Sequence, residues 1–310
     1  MAVAFLTVLG SLAPFASGAA AATLPTVSTS GAKQVSYAGA VLDGSVNPHG
    51  SNTSYYFQYG PTIAYGGQTT IADAGAGTSK VNVSLPVGGL QPLTLYHFRL
   101  VAVNGAGTAP GKDKTLLTKK VPLTLQILSS PNPVLFGGSI TVQGTLSGTE
   151  NTNRPVVLQA NQFPFTAGFQ NVAVNAELTT ATGSFSFIVP GLTEVTQFRV
   201  VTSTSPAVIS PVATENVAVK VSAHVGRAPR RHFARIFGTV TPAEDGMQVG
   251  ILRITHGHGV LVGGTTLLHR TATSSRFSRV VPVKRGVYRV LIRVTTGTQV
   301  SNYSQPLLIG

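Results

Sequence analysis

Apolar side chains in this chain recur at every second position in short runs, and Gly, Pro, Asn or Ser ends each run within a few residues. Ala40, Leu42, Gly44 and Val46 share one face, with Asp43 and Ser45 on the other. Tyr55, Phe57 and Tyr59 then place three aromatics on one side, and Tyr96, Phe98, Leu100 and Ala102 do so again, with His97 and Arg99 opposite. A period of two is the geometry of a strand buried on one face. No segment carries a 3.6-residue period with caps at both ends. The fold class is therefore predicted to be all-β, with short strands packed as sandwiches and helix near zero after the first residues. The 34 Gly and 19 Pro supply the turns, and 43% apolar residues are too many for a disordered chain. At 310 residues there is room for two or three domains.

The first of these has a recognisable corner. Gly89-Leu90-Gln91-Pro92-Leu93-Thr94-Leu95-Tyr96 precedes Val101-Ala102-Val103-Asn104-Gly105-Ala106-Gly107. Residues 23–118 closely resemble the fibronectin type III module, in which a Leu-x-Pro-x-Thr-x-Tyr run makes the tyrosine corner. The resemblance implies that Tyr96 buries its ring while its hydroxyl bonds back to the chain near Leu90. The resemblance assigns that structural role to Leu90, Pro92, Thr94 and Tyr96. The Val46-Asn47-Pro48-His49-Gly50 turn and Tyr59-Gly60-Pro61-Thr62 are similar to the bacterial variant of the module. The family's tryptophan is missing, because the chain has no Trp, and Leu42 is expected to fill that layer.

The rest of the chain repeats itself. Gly144-Thr145-Leu146 is answered by Gly238-Thr239-Val240, Phe185-Ser186 by Phe277-Ser278, Pro190 by Pro282, and Phe198-Arg199-Val200 by Tyr288-Arg289-Val290. The offsets run from 90 to 94 residues, which marks tandem domains rather than a solenoid. Each copy resembles a bacterial immunoglobulin-like sandwich, over 122–220 and 223–310.

Residues 1–22 read as an export signal. Positions 2–16 are nearly all apolar, and Ala20 and Ala22 suit cleavage by the small-x-small rule, although no Lys or Arg precedes the run. No later stretch is long and apolar enough to span a bilayer. The expected location is extracellular, secreted or at the cell surface, with no integral span after signal cleavage. The absence of cysteine excludes disulfides, thiolate nucleophiles, Cys-ligated zinc, iron–sulfur clusters and a lipid-modified Cys anchor.

Charge is concentrated at the C-terminal end. Residues 221–310 hold twelve basic residues, eleven of them Arg, against two acidic, while 121–220 hold three basic and four acidic. A single-sign field attracts polyanions and weakens with salt. Arg227, Arg230, Arg231 and Arg235 lie before or on the first strand of this copy. Arg276, Arg279, Lys284, Arg285, Arg289 and Arg293 follow on its last hairpin. Arg289 and Arg293 are expected to share a solvated face. Guanidinium forks suit carboxylate and phosphate, so the predicted partner is an anionic cell-wall polymer or polysaccharide. A basic sheet that merely solvates itself is the plainer reading. Nucleic acid is not expected, since the chain reads as exported and has neither a groove-reading helix nor aromatics interleaved with a basic run.

Other chemistry is thin. His256-Gly257-His258-Gly259 puts two imidazoles at i and i+2, with His269 as the nearby third, but the flanking glycines favour a hairpin tip. Glu244 and Asp245 sit in a Pro-Ala-Glu-Asp-Gly turn, and adjacent carboxylates there cannot flank a bond. The chain carries no nucleophile elbow, zinc helix or phosphate loop. No catalytic residue, metal ligand or cofactor is therefore assigned. The predicted function is a non-catalytic structural or adhesive surface protein. The alternative is an accessory module or spacer of an extracellular polysaccharide-degrading system, because fibronectin-like modules often accompany such enzymes.

Overall fold

The computed structural model describes residues 22–172 and 175–310, so the export-signal reading lies outside the described residues except for Ala22. Every regular element among the described residues is a β-strand, as the alternation predicted. No helix there is long and apolar enough to cross a membrane. The chain divides into two compact units, Met1–Val121 and Pro122–Gly310.

The first unit is one sandwich. Thr26–Lys33, Gly39–Asn47 and Val81–Gly88 form one antiparallel sheet in that order. The facing sheet runs Gly67–Gln68, Thr53–Gly60, Leu95–Asn104, Gly107–Pro110, with Ala72–Gly75 and Lys114–Leu117 extending its edges. Leu42, Val46, Phe57, Phe98 and Leu100 are fully buried between the sheets, and Leu42 does occupy core. At the corner the Gln91 N–H donates to the Tyr96 hydroxyl at 3.0 Å. The Thr94 hydroxyl donates to the Pro92 carbonyl at 2.8 Å. A three-stranded sheet facing a six-stranded one, with this corner, is a fibronectin III/immunoglobulin-like β-sandwich.

The second unit holds two sandwiches, each with its own buried cluster. In the first, Thr124–Ser130, Gly138–Ser147 and Ser184–Leu192 face Gln170–Asn171, Pro155–Gln162, Thr196–Thr202 and Ala213–Glu215. In the second, Lys220–Arg227, Phe233–Thr241, Ser274–Pro282 and Leu268–Thr271 form one sheet in that order. Its partner sheet runs His258–Thr266, Gln248–Thr255, Gly286–Arg293, Asn302–Tyr303, with Leu307–Ile309 along the same central strand. The turn at 296–300 ties the two sandwiches of this unit together. The Val195 N–H donates to the Thr298 carbonyl at 2.7 Å, and the Val300 N–H to the Val217 carbonyl at 2.8 Å.

The repeated Gly-Thr pair has a steric cause. Gly144 lies opposite Phe185 and Gly238 opposite Phe277 across neighbouring strands. A Cβ on Gly238 would stand 2.8 Å from the Phe277 ring and a still shorter distance from the Ser222 carbonyl oxygen. Glycine lets the preceding strand close in and the ring lie over bare backbone. A second corner appears in the last sandwich, where the Tyr288 hydroxyl donates to the Lys284 carbonyl at 3.0 Å and accepts the Lys284 N–H at 2.9 Å. Phe198 holds the equivalent place in the preceding copy and has no hydroxyl to do this.

Candidate functional site: the basic end of the last sandwich

Strand direction decides where the cations go. Phe233 pairs with Pro282, so the turn at 228–232 and the turn at 283–285 lie side by side at one end. The Val283 N–H fastens them by donating to the His232 carbonyl at 2.8 Å. Arg227, Arg230, Arg231, Lys284 and Arg285 are thereby gathered at this end, all exposed. Arg253 joins them from the adjacent sheet, its Nη2 donating to the Arg285 carbonyl at 3.2 Å. The sandwich's two acidic residues, Glu244 and Asp245, sit in the turn 242–247, at the far end of Phe233–Thr241. That strand spans roughly 26 Å, several times the Debye length of about 8 Å at physiological salt. The tip cations therefore feel little of those carboxylates. The contact with the preceding sandwich is also at the far end.

The remaining candidates scatter. Arg235 and Arg276 lie on the outer face of the four-stranded sheet. The Arg235 Nε donates to the Ser278 hydroxyl at 2.8 Å, and its guanidinium stands 5.2 Å from the Phe237 ring centre. With His224 and Arg270 they line a groove of about 490 Å³. The corresponding groove of the preceding sandwich, about 670 Å³, is lined instead by Gln126, Gln143, Thr145, Glu177 and Ser184 among others, with no cation. Arg289 and Arg293 both point outward from the other sheet, Arg289 with its guanidinium 5.6 Å from the Tyr303 ring centre. Arg279, opposite Ile236, belongs to neither group. The ten candidates thus form a tip of five, a pair in the groove, a pair on the opposite sheet and one apart. Arg253 and Arg270 belong with them in space and were not singled out from the sequence.

The histidines and acids make no reactive set. His256 and Gly257, with φ of 50° and 79°, form the two-residue turn between Thr255 and His258. The His269 Nδ1 is 2.8 Å from Asp245 Oδ2, and the Ser275 hydroxyl also donates to Asp245. The Ser275 hydrogen bond, then the His269 one, hold the Asp245 carboxyl below its usual pKa. The carboxylate sits between hydroxyl and imidazole, so the His269 ring is held by Asp245 and makes no hydrogen bond to the buried Ser275 hydroxyl. Among the described residues no three His, Asp or Glu side chains gather as metal ligands.

One buried acid lies elsewhere. Glu215, in the first sandwich of the second unit, is fully buried, and neither carboxylate oxygen makes a hydrogen bond of good geometry. Burial raises its pKa, with the Ser129 hydroxyl and Val134 amide pulling it partly back. The folded chain therefore keeps this proton at pH values where the unfolded chain releases it. Stability must fall as pH rises from the unfolded value of about 4.3 through the raised folded value. Glu215→Gln is expected to stabilise the unit by about 1 kcal/mol at neutral pH and to lose that advantage near pH 4. Paired thermal melts across that range check this.

No family model matches the chain, and no curated protein matches it. Among solved structures, domains A168-A170 from titin align over 92% of this chain and 98% of that chain, at 14% identity and a TM-score of 0.37. A tetra-tandem repeat in the extending region of a large adhesion protein aligns over 92% and 74%, at 16% identity and 0.30. The chicken CNTN1 FN1-FN3 domains align over 92% and 96%, at 14% and 0.30. Similarity at this level says nothing of function, and the sandwich assignment rests on strand order and packing.

Proposed function

We propose that this is a non-catalytic extracellular binding or adhesive protein that attaches to an anionic cell-wall polymer or polysaccharide through the arginine-rich end of its last sandwich. The observation that carries this reading is charge segregation. Arg227, Arg230, Arg231, Lys284 and Arg285 meet at one end, while both acids of the same sandwich lie a strand's length away. Five of the twelve basic residues of 221–310 share that end with no acid among them. Exposed guanidinium forks engage carboxylate, sulfate or phosphate groups in pairs, and a row of such groups engages several forks at once.

The expected behaviour is electrostatic. The chain should be retained on immobilised dextran sulfate at low salt, released by about 0.5 M salt as screening shortens to a few ångströms, and not retained on neutral dextran. Salt-tolerant retention on the neutral polymer would instead favour the carbohydrate-accessory alternative.

A further inference from the structure

We infer that the same end of the last sandwich contains a separate small-molecule site, one that takes an amphiphile with an apolar body and a single anionic head. The site is a cavity of about 600 Å³ between the two sheets, within the usual range of roughly 300–1,000 Å³ for small-ligand pockets. Its walls are mostly apolar and come from both sheets: Phe233, Val260, Val262, Val283 and the Tyr288 ring. Tyr288 is fully buried and its hydroxyl is already committed to Lys284, so it presents carbon to the cavity. Val260 is 54% exposed at the mouth, an aliphatic surface that an occupant would cover.

The polar end is supplied by Arg253. It pairs with Tyr288 across neighbouring strands, and directly opposed residues project to the same face, so Arg253 enters from the core-facing side of its strand. The hydrogen bond from Nη2 to the Arg285 carbonyl at 3.2 Å fixes the guanidinium. Arg253 lines the cavity and is half-buried, so its charge faces an occupant where solvent screening is reduced. An anionic head placed against the guanidinium would gain a charge-assisted hydrogen bond. Lys284 and His232 flank the same cavity, and no carboxylate lines it. Charge and shape therefore point to one ligand chemistry, an alkyl or aryl body ending in carboxylate or phosphate. A free fatty-acid-like molecule and the acyl chain of an anionic lipid share that chemistry.

The test is titration of the full chain with dodecanoate, dodecyl phosphate and dodecanol, read by displacement of 1-anilinonaphthalene-8-sulfonate. Saturable one-site binding of both anions is expected, with the alcohol at least about tenfold weaker. Arg253→Met keeps the apolar stem and should weaken both anions about tenfold or more. Val260→Trp, at a position 54% exposed, should block the mouth and reduce binding of all three. Arg293→Glu, at the other end of the strand that carries Tyr288, should change affinity less than about twofold, which separates this site from general electrostatic attraction. Co-sedimentation with phosphatidylglycerol vesicles but not phosphatidylcholine ones, abolished by Val260→Trp, would assign the lipid source. Binding of monomers without co-sedimentation would assign the free acid. Equal affinity for dodecanol, indifference to both Arg253→Met and Val260→Trp, or no saturable binding would overturn the inference. Loss of dextran sulfate binding alone would not bear on it.

Discussion

Reversing three charges at the tip, as Arg230→Glu, Arg231→Glu and Arg285→Glu, is expected to abolish retention on a polyanion at physiological salt while leaving the melting temperature nearly unchanged. The three side chains are exposed, so the fold loses little. Binding loses more. An exposed ion pair contributes about 0.2–1 kcal/mol, and reversal both removes the attraction and adds repulsion. Three reversals together should cost about 2–4 kcal/mol, a loss of roughly 30- to 1,000-fold in affinity. Surface plasmon resonance on dextran sulfate measures it. A loss smaller than about threefold would mean that the polyanion docks elsewhere.

The second large effect concerns folding. Gly238→Val should unfold or severely destabilise the last sandwich, and Gly144→Val the one before it. A Cβ at Gly144 would lie 2.5 Å from the Phe185 ring, with the Gln126 carbonyl oxygen closer still. No rotamer of the new side chain relieves a clash made by Cβ itself, so the neighbouring strands must part. The cost should be about 3 kcal/mol or more, a large share of a typical stability of about 5–15 kcal/mol. Gly88→Ala serves as the control, since a Cβ there meets nothing within 4 Å. Chemical denaturation of the three variants ranks them. Equal midpoints would show that the Gly–Phe pairs do not set the packing of these sheets.

How far the sequence carries can be seen in particular residues. Leu42, Phe57 and Phe98 reach the core by strand parity alone, a local rule that the chain displays openly. The tyrosine corner was legible through the resemblance, since its Leu-x-Pro-x-Thr-x-Tyr run is contiguous and its hydrogen bond joins residues only five positions apart, Gln91 and Tyr96. The Gly-Thr repeat could be counted, but its reason lies in the facing Phe185 and Phe277, which only strand pairing supplies. The basic site was legible as composition and not as geometry. Arg235, Arg289 and Arg230 are near one another in no sense the sequence can state. They belong to one outer face, the opposite sheet and the tip, and long-range register sorts them. Arg253 was passed over because only its pairing with Tyr288 reveals that it turns toward the core.

On the proposed function, the position of the cations and not the net charge makes the last sandwich bind polyanions. Two variants of identical net charge test it most directly: the tip reversal above, and Arg276→Glu, Arg279→Glu, Arg293→Glu, which alters exposed arginines away from the tip. Titrated against dextran sulfate in the same buffer, the tip variant should lose at least about ten times more affinity than its matched counterpart. Equal losses in the two would contradict the account and reduce the C-terminal arginines to a diffuse surface charge.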